Sequence, residues 1–116
     1  MAIELKRETA HILLQINMKS LTSIQKKLEA LKPTLEETFQ VETIGVFGSY
    51  VRSEQNRKSD VDVLVEFKKD AHIGLLKYVE LEIFLGEQLG LKVDLVAKGG
   101  LKPSLKDRIL GEVVYV

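Results

Sequence analysis

The chain has no cysteine among its 116 residues. Disulfides and thiolate metal sites are therefore excluded, and a small secreted domain held by cross-links is not expected. Neither charge is in excess: Lys plus Arg and Asp plus Glu each total 17, for a formal net charge of +0. A general nucleic-acid binder would show a basic excess or stripe, so direct nucleic-acid binding is not expected. No apolar run approaches the length that spans a bilayer, and residues 1–19 lack the uninterrupted apolar stretch of a signal peptide. Internal repeats, low-complexity tracts and linkers are also missing. His11 and His72 have no metal-ligand spacing between them and read as surface or helix-end residues. What remains is one globular domain, 45% hydrophobic and 29% charged, with a soluble cytoplasmic protein as the default.

Periodicity gives the order of elements. Residues 4–17 read as a helix with an apolar stripe of Leu5, Ile12, Leu13 and Ile16. A second helix follows, in which Thr22 and Gln25 have the capping-box form and Ile24, Leu28, Leu31 and Leu35 recur at helical spacing. Pro33 is expected to end that helix and start the next. "VETIGVF" (41–47) reads as a strand, "SYVRSE" (49–54) as a short helix and "QNRKS" (55–59) as a polar loop. "DVDVLVEF" (60–67) is a second strand. Residues 73–89 form a helix with two apolar lines, Leu75–Val79–Ile83 and Leu81–Leu85–Leu89, and are expected to be buried on several sides. "KVDLVA" (92–97), a helix from Pro103 to about Leu110, and "VVYV" (113–116) complete an α/β fold: a mixed sheet of about four strands flanked by helices.

Within this frame, "GVFGSYVRSEQNRKSDVDVLVEF" (45–67) places two acids inside an apolar strand. Strand alternation puts Asp60 and Asp62 on one face, with Val61, Val63 and Val65 on the other, and their Cα atoms roughly 6.5–7 Å apart. Asp94 repeats the pattern in "VDLV"; if the third strand neighbours the second, three carboxylates meet on one patch. Such a trio repels itself and loses hydration unless a cation joins it. Two Mg²⁺ ions about 3.5–4 Å apart are the usual clamp for in-line phosphoryl or nucleotidyl transfer; an all-oxygen donor set suits Mg²⁺ or Mn²⁺. Gly48 and Ser49, between a strand and a short helix, offer backbone N–H groups, a hydroxyl and a positive helix end, an anion site fit for a triphosphate tail. The combined Gly-Ser and Asp-x-Asp pattern arises by chance on the order of once per thousand chains of this size.

These segments, with "GLKPSLKDRILGEVVYV" at the end, resemble the minimal nucleotidyltransferase family of the DNA polymerase beta-type nucleotidyltransferase superfamily. The resemblance runs from about residue 22 to the end. It divides the chain into a helical extension, residues 1–21, and a nucleotidyltransferase domain, residues 22–116. It implies the nucleotidyltransferase fold, two Mg²⁺ ions, and ATP as nucleotide donor. Many members are antitoxins that transfer AMP to a tyrosine of a partner HEPN-domain ribonuclease toxin, so a HEPN toxin is the implied partner. In the implied roles, Asp60 and Asp62 ligate both metals, and Asp94 holds the metal nearer the attacking hydroxyl and accepts its proton. Gly48 and Ser49 bind the β- and γ-phosphates, and Arg52 reaches a phosphate. One departure is Ser53, where relatives usually carry glycine after the arginine.

Blander alternatives stand beside each role. Asp94 can be an edge-strand acid facing water, Ser49 a helix cap and Arg52 a solvated surface residue. Arg57 and Lys58 read as solvent-facing, and Tyr50, Tyr78 and Tyr115 as packing residues. The expectation is an acceptor recognised by a partner surface or within a homo- or hetero-oligomer, and a protein acceptor fits best. Two other functions remain open: an antitoxin that neutralises by contact alone, and an aminoglycoside-type small-molecule nucleotidyltransferase.

Overall fold

The computed structural model describes residues 20–116. The helix expected over residues 4–17, His11 and nearly all of the expected extension lie outside the described residues. The described chain runs α1 (Leu21–Phe39), β1 (Val41–Phe47), a 3₁₀ turn (Gly48–Tyr50), β2 (Val61–Phe67), α2 (Leu75–Leu89), β3 (Val93–Ala97), a second 3₁₀ turn (Lys98–Gly100), α3 (Pro103–Glu112) and β4 (Val114–Tyr115). The strands form one sheet in the order β3-β2-β1-β4. β2 pairs parallel with β3, and β1 pairs antiparallel with both β2 and β4, so the sheet is mixed as expected. Among the described residues, no helix is long and apolar enough to cross a membrane.

The two sheet faces carry two cores. Ile44 and Val46 of β1, Val61, Val63 and Val65 of β2, and Val93 and Leu95 of β3 pack with Ile24, Leu28, Leu35 and Phe39 of α1 and Leu81, Leu85 and Leu89 of α2. On the opposite face Phe47 and Leu64 pack against Ile109 of α3 in a smaller cluster. Asp62, one residue from Val61 and Val63, therefore opens onto the thinly covered α3 side. α2 also protects the outer edge of β3: the Leu95 N–H donates to Glu82 Oε2 at 3.0 Å, and the Tyr78 hydroxyl donates to the Leu95 carbonyl.

Four local expectations are corrected. α1 continues through Pro33 to Phe39. Proline inside a helix costs about 3 kcal/mol, but Pro33 and Glu29, whose carbonyl it leaves unpaired, both face water. Burial of Leu35 and Phe39 beyond it contributes about 1.5–3 kcal/mol each, enough to offset that cost. The cap is Ser20, whose hydroxyl accepts the Ser23 N–H at 3.2 Å, and Thr22 lies inside the first turn. Residues 49–54 form only one 3₁₀ turn, Gly48–Tyr50, followed by turns, because the backbone reverses to the left-handed region at Ser53. Finally, α2 is buried along one line only. Leu81, Leu85 and Leu89 are fully covered, whereas Leu75, Val79 and Ile83 are 78%, 41% and 56% exposed, since no second layer packs outside the helix among the described residues.

This asymmetry is directly measurable. Leu85→Ala leaves a cavity at the sheet and should cost about 2–5 kcal/mol in denaturant unfolding. Ile83→Ala, one helical face away, should stay within about 0.5 kcal/mol of wild type. Equal costs would place both lines in the core.

Candidate active site

Asp62 and Asp94 are direct neighbours in the parallel register of β2 and β3. Asp60 lies just before β2 begins and is half-buried, Asp62 is half-buried within it, and Asp94 is exposed on the edge strand. The strand pairing thus brings two of the expected acids side by side with the third two residues upstream. Burial, then the charges of Asp94 and Asp60, push the Asp62 carboxyl up to about 6, against a partial opposing pull from Arg52. Asp60 has a cationic neighbour that its own strand did not reveal, Lys92 Nζ at 3.9 Å. With Lys92 83% exposed, that contact is weak and leaves the acids largely uncompensated.

The Gly-Ser turn stands against these acids. Gly48 is buried at φ +78, a conformation that disfavours a side chain. A Cβ placed there would lie 2.1 Å from Asp62 Oδ2, so only glycine lets the backbone pass so close to this carboxylate. Ser49 is half-buried and does not cap the turn; the cap position is Phe47, which makes no side-chain hydrogen bond. Ser53 also sits in the left-handed region, at φ 58, where the family resemblance expects glycine.

Arg52 is not a free surface cation. Its Nη1 donates to both carboxylate oxygens of Glu112 at 3.1 Å and its Nε to Glu54 Oε2 at 3.1 Å. Hydrogen bonds to Glu54 and Glu112 raise the already high pKa of its guanidinium. Glu112 Oε1 also accepts the Gly48 N–H at 2.9 Å, so that donor, expected to be open to an anion, already has an internal partner. Burial acts to raise the Glu112 carboxyl, but the Gly48 N–H and Arg52 outweigh it and hold the group below its ordinary range. Sequence reasoning missed Glu112 because it lies 64 residues from Gly48 and carries no motif.

A cleft of about 420 Å³ lies in front of this assembly. Gly48, Asp62 and Asp94 line one part, Val96, Leu101, Leu105 and Ile109 give an apolar wall, and Arg52, Lys102 and Arg108 supply cations. Acids beside cations and an apolar wall suit a ligand with a polyanionic part and a flat apolar part. Arg57 and Lys58 are exposed in the loop, as expected.

Two outcomes follow from this geometry. Asp62 has an ordinary pKa of 3.8 when unfolded and about 6 when folded. Between these values the folded chain holds more protons, so metal-free stability should rise as pH falls through about 6. Asp62→Asn should therefore stabilise the metal-free protein near pH 8, by about 1 kcal/mol once solvent screening is counted, with the gain shrinking near pH 5. Denaturant melts in chelator test this; a gain independent of pH would deny the raised proton affinity of Asp62. Ser53→Gly removes left-handed strain of about 1–2 kcal/mol, less about 0.5–1 kcal/mol of glycine entropy. Its melting midpoint should rise by a few degrees, and a fall would show that Ser53 is unstrained.

A family profile described as a nucleotidyltransferase domain matches residues 28–116. Among curated proteins, the protein adenylyltransferase MntA of Thermococcus cleftensis is 50% identical over 99 residues, covering 85% of this chain and 98% of that one. A solved structure described as a minimal nucleotidyltransferase superposes with a TM-score of 0.68 at 32% identity, covering 83% of this chain and 95% of its own. A chain in a complex of a tri-AMPylated Shewanella oneidensis HEPN toxin with an MNT antitoxin shares the fold, with a TM-score of 0.60 at 20% identity over 82% of this chain and 70% of that one. The acids, the glycine turn and the match over residues 28–116 converge: the chain belongs to the nucleotidyltransferase domain family.

Proposed function

We propose that the protein is the antitoxin of a toxin–antitoxin pair, transferring AMP from ATP to a tyrosine hydroxyl of a HEPN-domain ribonuclease and thereby silencing it. The observation that carries the reading is the register of β2 and β3, which sets Asp62 beside Asp94 at a cleft beginning at the Gly48 turn. The 50% identity to a protein adenylyltransferase along nearly its whole length supports protein as the acceptor class. The HEPN partner is supported by the shared fold with the MNT antitoxin of the AMPylated complex.

The donor set fits divalent magnesium. Among the described residues, no three His, Cys, Asp or Glu side chains form a ready metal cage. Mg²⁺ does not need one, since it takes one or two carboxylates and completes its shell with water and substrate phosphates. Asp60, Asp62 and Asp94 would hold the ions. Bound there, divalent ions would supply charge neutralisation at the phosphates and would lower the pKa of a hydroxyl beside them. Asp94 accepts the proton of the tyrosine hydroxyl as its oxygen bonds to the α-phosphorus and pyrophosphate departs. The Ser49 hydroxyl and Arg52 orient the β- and γ-phosphates. The apolar wall from Leu101 to Ile109 shields the reacting groups from water.

Labelled ATP, Mg²⁺ and a HEPN-domain toxin that is inhibited by this chain test the reading. Label should appear on the partner, and the Asp60→Ala, Asp62→Ala double variant should reduce transfer by roughly a hundredfold or more. Unlabelled partner with the wild-type chain overturns the enzymatic reading. Full protection of cells by the double variant would mean that contact alone neutralises the toxin.

A further inference from the structure

Glu112 closes α3 and accepts the Gly48 N–H at the start of the turn that follows β1. Its approach depends on Gly45 in β1, where an added Cβ would lie 2.7 Å from Val113 Cγ2 and 2.9 Å from the Val114 carbonyl oxygen. The close packing there carries α3 directly into β4, and Glu112 ends up only 19% exposed. One carboxylate then serves two groups: Oε1 takes the Gly48 N–H, and both oxygens take Arg52 Nη1.

We propose that Glu112 is a positioning residue for nucleotide binding, holding the Gly48 turn against Asp62 and fixing Arg52 so that its Nη2 stays available to a phosphate. The inference rests on the adenylyltransferase reading, because it needs a triphosphate at this turn. Two features support it over a simple surface bridge. Arg52 is held on two sides, by Glu112 at Nη1 and by Glu54 at Nε, and neither contact uses Nη2. Such double anchoring removes rotamer freedom that an unheld arginine would lose on binding. Moreover, the backbone that Glu112 grips is the one whose Cβ position is filled by the Asp62 carboxylate, so slack in the turn is passed directly to that acid.

A rival reading makes Glu112 an internal competitor, an anion seated on donors that the phosphates need. The two readings predict opposite signs. Calorimetric titration of the full chain with AMP-PNP and Mg²⁺, alongside thermal melts, distinguishes them. E112A should weaken binding about tenfold, and E112Q about threefold, since the amide still accepts from Gly48 but loses the charge. In an R52K background, where lysine cannot offer the guanidinium fork, most of the E112Q effect should vanish. Tighter binding in E112Q would make Glu112 a competitor, and lower melting midpoints with unchanged affinity would make it only a brace; either result overturns the proposal. Should E112A fail to fold, E112Q decides by the same criteria. If the wild-type chain binds no AMP-PNP, the adenylyltransferase reading falls and takes this one with it; wild-type binding that E112Q leaves unmoved removes the positioning role alone.

Discussion

Placing Asp62 next to Asp94 in register is the constraint from which the rest of the site follows. A half-buried carboxylate with a second acid on the adjacent strand destabilises the sheet that holds it, and the proton affinity of Asp62, raised first by burial and then by the charges of Asp94 and Asp60, records that cost. The sheet tolerates it because the opposite face is unusually secure. Val61, Val63 and Val65 are fully buried against two helices, so hydrophobic burial on one side of β2 holds repelling acids on the other. In the proposed reaction the same acids hold the cations, a trade of stability for activity common where strain serves function.

The α3 side is built differently. Its cluster is small, with Phe47, Leu64 and Ile109 as its three buried residues, and it leaves a cleft between the acids and the helix. Coverage there comes partly from polar contacts: Glu112 to Gly48 and Arg52, and Lys98 to Glu66 at 3.6 Å. A thin, partly polar cover suits a surface that admits a nucleotide. The acid-bearing edge strand is guarded from outside by α2 through Glu82 and Tyr78, which leaves the end of β3 facing the cleft without exposing a bare edge.

Glycine and serine mark the same turn in opposite ways. At Gly48 the backbone passes so near Asp62 that no side chain fits. At Ser53 a side chain is carried in a left-handed conformation that glycine would adopt without strain. Between the two, Arg52 is bound by two carboxylates, so the loop that meets the phosphates in the proposed reaction is braced at its arginine.

Much of this was legible in the residues. Alternation in "DVDVLVEF" set Asp60 and Asp62 apart from the valines, the apolar strands emerged within a residue of their bounds, and the Gly-Ser turn was identifiable because its chemistry is local. Helix ends and coverage were less so. Pro33 looks like a break along the sequence because the cost of proline is local, whereas the burial of Leu35 and Phe39 that outweighs it is tertiary. Both apolar lines of α2 looked alike until the sheet covered one and left the other in water. Sequence alone determined the kinds of side chain and their faces, since those depend on neighbours along the strand. Only the folded chain decided that Asp94 meets Asp62 and that Glu112 takes Gly48 and Arg52, because both pairings join distant segments through sheet register and helix packing, which no local pattern encodes.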